Sequence, residues 1–148
     1  MNDATGPAPL DLSALRGALD SLASGLSVSG APAFDAQPAA WGNLLRAGLI
    51  QHFECCFELG VRMIKRQLER ETEDRAALDA MAWRDMLRLA AERGLLSSPE
   101  AWFQFRELRN ITLHTYDRAK ADRVLGACQP QLQHGQALLA CLATRNRG

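Results

Sequence analysis

Apolar residues return every three or four positions along almost the whole chain, and no convincing stretch alternates with the period of two that a half-buried strand needs. A chain patterned this way buries its apolar surface by packing helix on helix. Leu12, Leu15, Leu19, Leu22 and Leu26 line one face of a first helix, with Asp11 as its cap and Gly17 and Gly25 weakening it. From Val28 to Gly42 the composition shifts to Ser, Gly, Ala and Pro, and Pro32 and Pro38 argue against regular helix, so a flexible connection is expected over 28–42. A long helix follows from about Asn43 to Glu73, with Leu45, Leu49, Phe53, Phe57, Val61, Ile64 and Leu68 inward and Arg62, Lys65, Arg66, Glu69 and Arg70 outward.

A third helix is expected from about Asp79 to Arg93, burying Met81, Met86, Leu87 and Ala90 and stopped by Gly94. Ser97 and Ser98 before Pro99 and Glu100 signal the start of a fourth, whose stripe is Trp102, Phe105, Leu108 and Ile111. The pattern breaks near Thr115. Asp117 then caps a last helix carrying Val124, Leu125, Leu132, Leu138, Leu139 and Leu142, which Pro130 should kink or split. The expected fold is all-α: an antiparallel up-and-down bundle of four to five helices, the second to fifth forming its core. One domain should cover 10–148, preceded by a disordered segment at 1–9.

With 17 basic and 17 acidic residues the net charge is zero, which argues against a protein that coats nucleic acid but leaves room for a compact phosphate site. No apolar run approaches the roughly 20 residues that span a bilayer, and Met1 to Pro9 lack the basic and apolar segments of a secretory signal, so a cytoplasmic location is expected. Four cysteines without a C-x-x-C pair signal neither disulfides nor a zinc ribbon. His52 and Cys56 lie four apart, yet no further ligand is near in sequence, so neither metal nor cofactor is expected.

The densest chemistry lies between Arg109 and Asp117: a guanidinium, the Asn110 amide, the His114 imidazole and the Tyr116 phenol. Arg holds a phosphate in a planar fork and His exchanges protons near neutral pH. On a straight helix Arg109 and His114 lie about 140° apart, so they converge only if the helix ends near His114 or if two chains pool residues. The same residues also suit a plain structural role, Arg109 on carbonyls at a helix end and His114 and Tyr116 packing the next turn. Glu54 and Glu58 share a helix face, either to orient Arg109 or a ligand or as a solvated acidic edge. Arg118, Lys120 and Arg123 make the neighbourhood mildly basic.

The string from Arg109 to Tyr116 resembles the R-x4-H-x-Y motif of HEPN-domain proteins, in the branch named nucleotidyltransferase substrate-binding proteins. Phe53-Glu54-Cys55-Cys56-Phe57-Glu58-Leu59 is similar to that branch's F-E-x-x-F-E-L segment, and Ala90 to Leu96 to its third helix, so the resemblance spans about Leu44 to Leu142. One departure is Gly60, Val61 and Arg62, where the family commonly has a small residue, a Trp and a Lys. The resemblance implies a homodimer working with a separately encoded minimal nucleotidyltransferase in a toxin and antitoxin module, as a metal-independent endoribonuclease. In that role Arg109, Asn110 and His114 would be catalytic, Glu54, Glu58 and Thr115 supporting, and Tyr116 the site of adenylylation. The alternative it implies is a non-catalytic accessory subunit that binds nucleotide or substrate for the transferase.

Overall fold

The structure is a computed structural model that describes residues 8–114 and 116–147. Most of the segment expected to be disordered, residues 1–7, lies outside the described residues, as does Thr115. All regular structure among the described residues is helical: α1 (Ser13–Ser29), α2 (Pro32–Asp35), α3 (Ala39–Glu71), α4 (Arg75–Asp79), α5 (Trp83–Glu92), α6 (Pro99–Ile111), a 3-10 turn at Thr112–His114, α7 (Arg118–Gly126) and α8 (Cys128–Arg145).

Local chemistry explains most boundaries. Ser98 accepts the Ala101 amide and Pro99 opens α6, while Glu100 bonds the Ser98 hydroxyl rather than completing a capping box through the backbone. Asp117 accepts the amides of Ala119 and Lys120 and so starts α7. Gly94 takes φ +79°, and the Gly94 and Leu95 amides return to Ala91 and Ala90, a Schellman stop with Leu95 buried behind it. Pro130 falls in the first turn of α8, and the expected split occurs just before it, at Ala127.

Two expectations need correction. The segment 28–42 is largely helical: α1 runs on to Ser29, Pro32 opens α2 and Pro38 is the N-cap of α3. Proline at the first turn of a helix loses no hydrogen bond, so these prolines start helices rather than forbid them. The helix expected from Asp79 starts only at Trp83, as α5, and a separate short helix, α4, precedes it, with Ala80–Ala82 between them.

The bundle is built around α3. Gly25 of α1 lies against Leu49 of α3, while Leu10, before α1, donates its amide to Asn146 beyond α8, so α1 runs antiparallel to both. Gln131 donates to the Phe53 carbonyl and Asn146 to Gln67, which sets α8 parallel to α3. Phe53 meets Phe105, and Phe57 meets Trp102, so α6 crosses α3 in the opposite sense. The up-and-down order α1, α3, α6, α8 follows. The core was expected in the second to fifth helices, but α1 belongs to it, with Leu15, Leu19 and Leu22 almost wholly buried between α3 and α8.

Glycine sets the closest approaches. A Cβ at Gly60 would stand 2.8 and 2.9 Å from Cη2 and Cζ3 of Trp102, a rigid ring with 1% exposure. The position that sequence marks only as a weak point in α3 is where α6 docks its largest side chain. Gly17, on α1, has no atom within 4 Å of a Cβ. Gly17→Ala is therefore expected to raise stability by about 0.5–1 kcal/mol through helix propensity. Gly60→Ala is expected to lower it by about 1–3 kcal/mol because overpacking outweighs the same propensity gain. Urea unfolding of the two variants checks the opposite signs.

Candidate functional site

The candidate residues gather where α6 stops. Arg109 is in its last turn, and the buried Thr112 donates both its backbone amide and, at 2.8 Å, its hydroxyl to the Arg109 carbonyl. The backbone then tightens into the 3-10 turn, and the Asp117 amide bonds the His114 carbonyl at 3.0 Å before α7 begins. The α-helix thus ends three residues before His114, which the chain reaches through the tighter turn.

Two pairs result. Arg109 donates from Nε and Nη2 to Oε1 of Glu58 at 3.1 and 2.7 Å, across from α6 to α3. That bond raises the Arg109 pKa above its ordinary value against the opposing effect of burial, and the charge of Glu54 adds to it. The guanidinium is therefore a permanent, oriented cation, and the Glu58 contact leaves Nη1 for another acceptor. In the second pair the Tyr116 hydroxyl lies 3.4 Å from Nδ1 of His114, with the rings edge to face at 5.9 Å. Tyr116 is 84% exposed and Leu113 78% exposed, and Asn110 and His114 also face solvent. No hydrogen bond joins Arg109 to His114 among the described residues. The buried-tyrosine arrangement that local sequence allows is absent.

Other candidates separate by environment. Cys56 is buried, and burial pushes its thiol up to about 12, so beside His52 it stands as a neutral thiol. Among the described residues no group of three or more His, Cys, Asp or Glu has metal-holding geometry. Of the basic residues on α7, Arg118 comes nearest the motif, lining with Tyr116 a cleft whose other wall is Asn43, Arg46, Ala47 and Ile50 of α3. Sequence reasoning missed that α3 wall, although its spacing of three and four marks one helix face.

An all-helical bundle with an Arg, His and Tyr cluster at the end of an inner helix defines the class. The family model described as nucleotidyltransferase substrate binding protein like matches residues 10–142, and the chain belongs to that family, the HEPN branch its motif resembles. It is 39% identical over 114 residues to a Haemophilus influenzae protein named "Probable ribonuclease HepT", covering 77% of this chain and 78% of the relative. A solved Haemophilus influenzae structure, described as revealing the fold of a substrate binding domain of a nucleotidyltransferase, is similar with a TM-score of 0.86 and 36% identity, over 90% of this chain and 99% of that one. The match from residue 10 includes α1, as does the bundle. No helix among the described residues is long and apolar enough to cross a membrane.

The Glu58 to Arg109 pair is partly open to solvent, with side chains 51% and 29% exposed, so its share of stability is small. Glu58→Gln is expected to cost at most about 1 kcal/mol. A loss above that in urea unfolding would make the pair a structural brace rather than a means of aiming Arg109.

Proposed function

We propose that this chain is the ribonuclease toxin of a two-protein module, acting as a symmetric homodimer and restrained by a separately encoded minimal nucleotidyltransferase. The observation that carries this reading is the Arg109 guanidinium aimed by Glu58 beside an exposed turn bearing His114 and Tyr116. The name of the Haemophilus influenzae ribonuclease relative supports it. His114 takes the proton of a ribose 2′-hydroxyl as its oxygen attacks the adjacent phosphorus. Arg109 stabilises the charge of the phosphorane, and Asn110 orients the phosphate. The bond to the 5′ oxygen then breaks, and that oxygen receives a proton from His114 of a second copy, leaving a 2′,3′-cyclic phosphate and a 5′-hydroxyl. One His per chain at the site makes two chains necessary. The exposed Leu113 suits a surface that a second copy covers, with Tyr116 left open at its edge.

Restraint acts through Tyr116. Its exposed phenol is accessible to a partner's active site, and an adenylyl phosphate placed there adds negative charge next to His114 at the position an RNA phosphate needs. The description of the solved neighbour as a substrate binding domain favours a second reading, a non-catalytic subunit that holds nucleotide or substrate for the transferase.

RNA incubated with the purified dimer in excess chelator is expected to be cleaved, and His114→Ala is expected to lower the rate by about 10² to 10⁴ with an unchanged helical circular dichroism spectrum. Cleavage that survives the substitution removes the ribonuclease assignment, and no cleavage by wild type favours the accessory subunit. Light scattering is expected to report a dimer at micromolar concentration. Co-expression with the cognate transferase is expected to add adenylyl mass that disappears in Tyr116→Phe; additions that persist in that variant place the modification elsewhere.

A further inference from the structure

Beside Tyr116 the first half of α3 and the start of α7 enclose a cleft of about 250 Å³. Ala47, Ile50 and Ala121 form its apolar floor, and Tyr116 stands as an aromatic wall. Arg46 and Arg118 bring two guanidiniums to it and Asn43 an amide. Arg46 is held in place by a 2.5 Å bond from Nη2 to Oδ1 of Asp122, and this bond keeps the Asp122 carboxyl below its usual range. The cleavage chemistry uses none of these residues.

The combination is selective. A purely apolar ligand would leave the polar wall of Asn43, Arg46 and Arg118 unused, and a cation would meet the charge of Arg118 and of the remaining donors of Arg46. A free phosphate would leave the apolar floor and the phenol ring unused. An aromatic base joined to a phosphate satisfies all of them: the base lies on the floor against Tyr116, the amide reads its edge as donor and acceptor, and the guanidiniums take the phosphate. We infer that this cleft is a mononucleotide-binding site, contiguous through Tyr116 with His114. The inference deepens the reading of this end of the bundle as nucleotide-handling, and its test reads binding alone, independent of RNA cleavage and of any transferase.

Two sources carry the same chemistry: a free or tyrosine-linked nucleotide, and one nucleotide of an RNA strand. Tyr116 is the only tyrosine, so uniform 3-fluorotyrosine labelling gives a single 19F resonance at the cleft wall. AMP is expected to shift that resonance saturably, with adenosine and inorganic phosphate each at least tenfold weaker. Arg118→Glu should weaken AMP at least tenfold. Ala47→Trp, which places an indole in the slot from an exposed helix position, should abolish the shift while circular dichroism stays helical. A 2′-O-methyl dinucleotide forms the second arm. Tighter binding of the dinucleotide than of AMP assigns the site to a strand nucleotide, and the reverse order assigns it to a free or tyrosine-linked one; either result supports the site. A resonance moved by neither probe overturns the inference, as does AMP binding unchanged in both Arg118→Glu and Ala47→Trp. AMP binding by a protein that cleaves no RNA separates this site from the ribonuclease reading.

Discussion

The burial of α3 is the constraint on which the rest of the molecule depends. Ten of its residues, from Leu49 to Leu68, are buried, and they spread over too wide a face for one partner helix to cover. Several helices share the work: α1 covers one side, α8 lies parallel alongside, α6 crosses with Trp102 and Phe105, and α5 and α7 close the remaining flanks. Each of those helices brings its own apolar stripe, so removing water from α3 and closing the bundle are one event. Close packing lets small residues decide geometry, and Gly60 under Trp102 and Gly135 against Leu19 mark where partners approach most tightly.

The same helix positions both halves of the candidate site. Its inward face is apolar, but the flanks of that face carry Glu54 and Glu58 toward Arg109 and Asn43 and Arg46 toward Tyr116. A rigid, packed helix thereby holds the groups that aim Arg109, whereas the turn after α6 holds the groups that meet solvent. Function sits in that turn for a physical reason. A helix end leaves carbonyls and a helix start leaves amides without partners; Thr112 bonds a carbonyl at the end of α6 and Asp117 accepts amides at the start of α7, while His114 and Tyr116 project into solvent between them.

Surface electrostatics follow the same division. The ion pairs Arg46 to Asp122, Arg109 to Glu58 and Arg145 to Glu71 each join elements far apart in sequence. Burial tends to raise the Glu71 carboxyl, yet bonds from Gln67 and Arg145 hold it below its usual value, so this contact holds at neutral pH and is lost as acid protonates the group. Arg145 also bonds the Arg93 carbonyl at the end of α5, which ties α3, α5 and α8 together at the end of the molecule opposite the candidate site. Neutral net charge thus hides an ordered arrangement in which the guanidiniums near the turn lie beside Tyr116 and the acids beside Arg109.

Local rules of the chain were enough to define helix class, most boundaries and the motif. The Leu12 to Leu26 repeat, the Ser98 and Asp117 caps and the Gly94 stop are written in short-range chemistry, and each appears where that chemistry puts it. Family membership was legible for the same reason, since the Phe53 to Leu59 and Arg109 to Tyr116 blocks are contiguous strings. Tertiary structure alone decided three things: that α1 enters the core, that Glu58 meets Arg109 across 51 residues, and that Arg46 and Ile50 share a cleft with Tyr116. It also turned Pro32 and Pro38 from breaks into helix starts. Periodicity says which face of a helix avoids water but not which neighbour covers it; that choice is made by side-chain shapes meeting across helices, and no local spacing encodes it.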